Sequence, residues 1–280
     1  MFELPLSVVD RLIAIALEED LSSGDLTTEA CIDAHAQAVA HAVTREALVV
    51  CGGGVFARVF RAIDPSLAIE SHVPDGTRAE WGARLWSVRG RARAILMGER
   101  VALNLVQRMC GVATRTREFV DALPQGTGAR ITDTRKTTPG LRALERYAVR
   151  VGGGRNHRDD LGAAVLIKDN HVAACGGVRA AVERARAAAP HTAKIECEID
   201  SLAQLDEAID AGADIVLLDN MTTADMAAAV ARARGRVLLE ASGGMTLSRI
   251  PEVARAGVDA ISIGALTHSV RASDVGLDFE

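Results

Sequence analysis

Lys136 and Lys168 are two of only three lysines in a chain that writes its other twenty-nine cations as arginine. Arginine is a broad planar fork, whereas lysine is a compact point charge on a flexible stem. A primary amine kept against that bias marks places where guanidinium will not serve. Lys136 follows Arg135 in Thr132-Asp-Thr-Arg-Lys-Thr-Thr-Pro-Gly140, and Lys168 stands in Leu166-Ile-Lys-Asp-Asn-His171. Ten residues before Lys168, Gly152-Gly-Gly-Arg-Asn-His-Arg158 ends a glycine-rich bend in His157 and Arg158. Residues 130–171 carry nine Lys/Arg and five Asp/Glu, although the whole chain has net charge −5. A charge run alone is usually a solvated face. These residue types instead suggest an anion site in a small-molecule enzyme. His157 on its own reads as a satisfied structural histidine.

Carboxylates follow. Glu196 and Glu198 are two apart in an apolar strand, so they share a face. Burying them demands partners. With Asp219 at the next strand end they suit ribose hydroxyls or magnesium. The competing reading is a structural ion pair with a pocket lysine, strongest for Glu196. Glu240-Ala-Ser-Gly-Gly244 and Ile263-Gly-Ala-Leu-Thr-His268 end two later strands. Their small residues offer backbone N–H groups near expected helix N-termini, which suits a terminal phosphate. Tight strand-to-helix turns are the plainer alternative. Gly52-Gly53-Gly54 reads as a turn into a helix, not as a phosphate loop.

The elements that must position these residues recur from about residue 129. Short apolar runs end near 134, 168, 198, 219, 240 and 264, each followed by a turn and an Ala-rich helical pattern. That alternation predicts a parallel α/β sheet. Polar residues end nearly every strand, which favours a barrel mouth over one switch point. Six or seven strands make the barrel incomplete. Residues 1–111 predict an α/β sandwich: helices over about 6–19 and 98–110, the second with Val101, Leu105 and Met109 on one face, and antiparallel strands over 36–47 and 67–73. The expected domains are thus 1–111, 112–267 carrying the site, and a segment 268–280 packing on the first domain.

Net charge −5 gives no general attraction to nucleic acid or an anionic membrane. No apolar run approaches the roughly 20 residues of a membrane span. Met1-Phe-Glu-Leu-Pro5 does not read as a signal peptide. Five scattered cysteines without a Cys-x-x-Cys pattern suggest a reducing cytoplasm.

In order along the chain, Glu19-Asp-Leu-Ser-Ser-Gly-Asp-Leu-Thr27, Gly98-Glu-Arg-Val-Ala-Leu-Asn104 and Gly111-Val-Ala-Thr114 precede the strings above, and Leu218-Asp-Asn-Met221 falls among them. Together they resemble the quinolinate phosphoribosyltransferase family over about residues 19–268. The resemblance implies an N-terminal α/β sandwich, an incomplete α/β barrel, and a homodimer or hexamer of dimers. It implies transfer of phosphoribosyl to quinolinate with decarboxylation, using phosphoribosyl pyrophosphate with magnesium and no organic cofactor. By resemblance Arg135, His157, Arg158 and Lys168 hold quinolinate, and Arg100 arrives from the neighbouring subunit. Lys136 attends the pyrophosphate, and Glu198 and Asp219 attend the ribose and possible magnesium contacts. Ser242, Gly243 and Gly244 with Gly264 and Ala265 take the 5′-phosphate. The substrate-binding set also includes Thr134, Ile263 and His268, and the catalytic set is Lys136, Lys168, Glu198 and Asp219. Cys110, Ala164, Cys197 and Met245 depart from the family pattern without removing a ligand. Rival expectations are a molybdenum-transport paralogue, a related transferase acting on nicotinate, a barrel lyase using Lys168 as a Schiff-base nucleophile, and a phosphate-ligand sensor.

Overall fold

Small residues set against large ones build the first sheet. The computed structural model describes residues 4–280, so the first three residues of the expected non-signal N-terminus lie outside it. The elements in order are α1 (Leu6–Leu21), α2 (Leu26–Cys31), β1 (Gln37–Thr44), β2 (Leu48–Val49), α3 (Gly53–Ile63), β3 (Ala68–Ser71), β4 (Arg78–Ala79), β5 (Arg84–Arg91) and α4 (Ala92–Asp121). Ala40 and Ala42 of β1 lie opposite Val88 and Trp86 of β5, all four fully buried. Phe56 and Phe60 of α3 add edge-on contact at 4.8 Å, and Phe56 stacks on Trp86 at 5.1 Å. The α3 start is capped by Asp75, whose carboxylate accepts from the Gly52 and Gly53 N–H groups at 2.9 and 3.1 Å. Gly52 sits at φ +107°, so the triple glycine is a turn into a helix, as expected.

Helix α4 corrects the expected 98–110. It runs thirty residues, because Gly98 and Gly111 are packing positions and not stops. A Cβ on Gly98 would lie 2.8 Å from Phe60, and one on Gly111 would meet the Arg271 carbonyl. The expected face Val101, Leu105, Met109 is buried. Strand β3 is shorter than the expected 67–73, and β1 is shorter than 36–47.

The second half continues with β6 (Arg130–Thr132), α5 (Arg142–Val151), β7 (Val165–Ile167), α6 (Asp169–Cys175), α7 (Val178–Ala188), β8 (Ile195–Ile199), α8 (Leu202–Asp210), β9 (Ile215–Asp219), α9 (Thr223–Ala233), β10 (Leu238–Ser242), α10 (Ile250–Arg255), β11 (Ala260–Ser262), α11 (Ala265–His268) and β12 (Val275–Phe279). Two compact units result, neither a continuous stretch: 1–117 with 137–153 and 266–280, and 118–136 with 154–265. In the first, β12 pairs with β1, so the sheet runs β12-β1-β5-β3, all antiparallel. Helix α5 joins this unit through buried Leu144, Ala148, Val149 and Val151, and Tyr147 donates to Asp75 at 3.0 Å. Its buried Glu145 accepts from Arg108 Nε at 2.9 Å and from the Thr138 N–H at 3.1 Å.

The second unit holds all six expected strands in one parallel sheet, ordered β6-β11-β10-β9-β8-β7. Helices between consecutive strands bury the Ile195, Cys197 and Ile199 face of β8, leaving Glu196 and Glu198 on the opposite face. Arg155 extends the β6 edge through a parallel bridge to Thr132. His157, two residues on, nevertheless touches Glu196 of β8. On a flat sheet β6 and β8 would stand about 19 Å apart, four strand spacings. One imidazole and one carboxylate cannot span that, so the sheet must curl. It stays open between β6 and β7: an incomplete barrel of six strands.

Candidate active site

The C-terminal ends of the six parallel strands carry the polar residues. Asp133, just past β6, is fully buried and accepts from Asn156 Nδ2 at 2.6 Å and the His157 N–H at 2.7 Å. That carboxylate pins the 155–158 segment beside the strand that leads to Thr134, Arg135 and Lys136. Arg135 is half-buried, and Lys136 is exposed with its N–H on Thr134 Oγ1 at 3.1 Å. Arg158 donates from its guanidinium to the Ala164 carbonyl at 3.1 Å. Burial first, then the charge of nearby Arg135, lowers its proton affinity against the pull of Glu196 and Asp160.

Lys168 caps α6 at the end of β7 and places Nζ 3.0 Å from Glu198 Oε2. The lysine ion pair expected chiefly for Glu196 is therefore made by Glu198. Register puts Glu198 beside Leu217, so Asp219 lies one interior position further along β9. Asp219 Oδ2 accepts from Asn220 Nδ2 at 2.8 Å. These two carboxylates at neighbouring strand ends are hard oxygen donors of the kind magnesium takes.

Glu196 takes His157 instead. Nε2 lies 3.1 Å from Glu196 Oε2 and 3.5 Å from Glu240 Oε1, and both glutamates are buried. Burial first, and then the charge of Glu196, raise the Glu240 carboxyl to about 7 against the pull of His157 and Ser262. For His157, burial favours the neutral ring, while Glu196, Glu240 and Asp133 pull it toward the charged form and together raise it. The Arg158 N–H opposes that pull, because it donates to His157 Nδ1 at 2.7 Å. A protonated Nδ1 would set two donors head to head. We therefore assign the neutral ring with its proton on Nε2, and place the cluster's extra proton on Glu240. Sequence reasoning gave Glu240 no role. The signal was present: Glu240 and Ser242 are two apart on β10, the logic already applied to Glu196 and Glu198.

Ser242, Gly243 and Gly244 leave β10 as expected, and Ile263 and Gly264 leave β11. The glycines are required. Gly243 sits at φ +86°, and a Cβ there would fall on the Asn220 side chain and lie 2.9 Å from its backbone nitrogen. Arg249 ties this turn to the preceding one, donating to the Met221 carbonyl at 2.7 Å and the Gly243 carbonyl at 3.2 Å. One expectation needs correction. The turns do not open directly onto long helices: α10 starts six residues after Gly244 and has six residues, and α11 has four. Three or more intervening residues cannot lie on a helix's first turn, so the Gly243–Gly244 N–H groups act as a turn. The second unit thus contains Thr134, Arg135, Lys136, His157, Arg158, Lys168, Glu198, Asp219, the Ser242–Gly244 turn and Ile263–Ala265. Arg100 and His268 belong to the first unit, both exposed, with His268 Nδ1 2.5 Å from Ser269 Oγ. Cys197 is buried away from the glutamates, as expected.

Known proteins resemble this chain along nearly its whole length. Residues 25–110 match the family model of the quinolinate phosphoribosyl transferase N-terminal domain, and 112–278 match that of the C-terminal domain. A nicotinate-nucleotide pyrophosphorylase [carboxylating] of Mycobacterium leprae is 47% identical over 272 residues, covering 94% of both chains. A probable enzyme of the same name from Bacillus subtilis is 43% identical over 260 residues, 93% of this chain and 89% of that one. The solved nicotinate-nucleotide pyrophosphorylase of Francisella tularensis superposes with a TM-score of 0.95 at 38% identity, covering 99% of this chain and 98% of its own.

Proposed function

The chain belongs to the quinolinate phosphoribosyltransferase family, and from that membership we propose how its own residues carry the reaction. The activity is transfer of phosphoribosyl from phosphoribosyl pyrophosphate to quinolinate with decarboxylation, giving nicotinate mononucleotide, pyrophosphate and carbon dioxide for NAD biosynthesis. The names of these relatives lend nothing to a molybdenum-linked paralogue or a Schiff-base lyase. The observation that carries the residue assignment is the run of six parallel strand ends. Cations sit at β6 and β7, carboxylates at β8 and β9, and glycine turns at β10 and β11.

Arg135, Arg158 and Lys168 face the two carboxylates of quinolinate. Lys136 attends the pyrophosphate, and Thr134 steadies its main chain through the contact with the Lys136 N–H. Glu198 and Asp219 hold the ribose, with Lys168 fixing the Glu198 carboxylate. Ser242–Gly244 and Ile263–Ala265 take the 5′-phosphate on backbone N–H groups. The bond from the anomeric carbon to pyrophosphate breaks with its electron pair leaving on oxygen. The pyridine nitrogen supplies the new pair. Glu198 stabilises the positive sugar that lies between these states. The resulting pyridinium withdraws the electrons left at C2 when carbon dioxide departs, and C2 then takes a proton. The chemistry requires no organic cofactor. Magnesium, held through the substrate with Glu198 and Asp219 as available ligands, would neutralise charge on the leaving pyrophosphate.

We take the enzyme to work in the cytoplasm, where its five free thiols remain reduced. Among the described residues no helix is long and apolar enough to cross a membrane. Its assembly is a homodimer or a hexamer of dimers, with Arg100 completing a partner's site. Quinolinate labelled in its 2-carboxyl group tests the reaction. Carbon dioxide and pyrophosphate should appear in equal amounts, and nicotinate should not substitute. Pyrophosphate release without carbon dioxide, or none at all, would overturn the reading.

A further inference from the structure

His157 is the one cation-forming residue of the site whose two ring nitrogens both meet protein groups. Nδ1 accepts the Arg158 N–H at 2.7 Å, and Nε2 faces Glu196 Oε2 at 3.1 Å with Glu240 Oε1 at 3.5 Å. An imidazole nitrogen that accepts carries no proton, so the ring's hydrogen is on Nε2, aimed at the Glu196 carboxylate. A substrate carboxylate has no donor left to meet. One approaching Nε2 would also meet the negative charge of Glu196. The ring is instead built into the wall. Its own N–H is held by Asp133 at 2.7 Å, and Asn156 Nδ2 by the same carboxylate at 2.6 Å. Arg155 pairs on both sides with β6, N–H to the Ile131 carbonyl at 2.8 Å and carbonyl to the Asp133 N–H at 3.1 Å.

We propose that His157 is a positioning residue and not an anion ligand: Glu196 accepts its Nε2–H with Glu240 standing beside it, and its Nδ1 fixes the main chain from which Arg158 projects. Glu196 and Glu240 thereby become part of the machinery although neither touches substrate. Glu196 Oε1 and Glu240 Oε1 are both buried and accept no hydrogen bond, so the Glu196 carboxylate keeps unspent negative charge close to Arg158. His157, Glu196 and Glu240 also have the spacing of a three-ligand metal set. The same tautomer argues against that use, since a metal needs the Nε2 lone pair and Nδ1 has no proton to give in exchange. Catalytic contact with quinolinate then falls to Arg135, Arg158 and Lys168.

This inference rests on quinolinate being the substrate, and wild-type turnover checks that separately. Nitrogen NMR of enzyme labelled at histidine, with the His157 signals identified by their loss in His157→Gln, reads the ring directly. One pyrrole-type and one pyridine-type nitrogen should appear in the resting enzyme and persist under saturating quinolinate. Two pyrrole-type nitrogens in either state would overturn the proposal. Kinetics provide the second arm. Glu196→Ala should raise KM for quinolinate about tenfold, the cost of one buried hydrogen bond, with KM for phosphoribosyl pyrophosphate unchanged. Glu196→Gln, which keeps an acceptor oxygen, should restore most of the loss. An alanine variant with unchanged quinolinate KM, or with both KM values raised alike, would equally sink it.

Discussion

Arg135 and Arg158 show what one residue can decide. Burial first, and then the charge of Arg135, lowers the proton affinity of Arg158, so an anion beside the two guanidinium groups is favoured. A hydrogen bond to a charged group contributes roughly 1.5–3 kcal/mol. Arg158→Ala or Arg135→Ala should therefore raise KM for quinolinate by about one to two decades; saturation curves near those of the parent would contradict the assignment. Glu240 makes a prediction of a different kind. Its folded carboxyl titrates near 7, against an ordinary 4.5, because burial and Glu196 resist its charge. A carboxyl raised on folding contributes stability that is complete below the unfolded value and is lost as pH rises through the folded one. The parent should lose stability, on the order of 3 kcal/mol from this group, between about pH 5 and pH 8. Glu240→Gln should flatten that slope, measured by denaturant titration at both pH values. An unchanged slope would mean that Glu240 is ionised throughout.

At the scale of elements, the strands were legible and the packing that anchors them was not. Each parallel strand announced itself as an apolar run with a polar end, and Glu196-Cys-Glu198 even declared which face was interior. The glycines of α4 misled because a glycine ends a helix or lets another chain approach, and Gly98 beside Phe60 looks the same in sequence in either role. Pairings across long separations were equally hidden. Nothing local says that Glu198 takes Lys168 while Glu196 takes His157, since curling of the sheet decides it. The Arg108–Glu145 pair is another long-range feature. Glu145 is wholly buried and accepts from Arg108 and from the Thr138 N–H, while Arg108 donates to the Thr267 and Val270 carbonyls. It fastens α5 and the Thr137–Gly140 turn that follows Lys136. Glu145→Ala strands a buried guanidinium and a backbone donor, so it should cost about 3–5 kcal/mol in chemical denaturation. Arg108→Met combined with Glu145→Leu should recover much of that loss. If the double variant is no better than the single, the cost lies elsewhere. The Gly243 turn is tested by Gly243→Ala, whose Cβ collides with Asn220. KM for phosphoribosyl pyrophosphate should rise while that for quinolinate holds; equal effects would remove the turn from the phosphate site.

At the scale of the whole molecule, a chain of net charge −5 must concentrate its cations to bind two polyanions. Arg100 is exposed on α4 in the first unit, whereas Lys168 stands at a strand end in the second. If each site borrows Arg100 from a neighbouring copy, the two residues can be damaged in different chains and still meet undamaged. An Arg100→Ala chain keeps its own Lys168, and a Lys168→Ala chain keeps an Arg100 to lend. In a two-fold dimer of one chain of each kind, one site is intact and the other lacks both residues. Random pairing of equal amounts makes half the dimers mixed, so activity should return to about a quarter of the parent's after the two inactive variants are unfolded and refolded together. Differently tagged chains would establish that mixed dimers formed. If they form and stay inactive, Arg100 serves the site of its own chain, or no site at all.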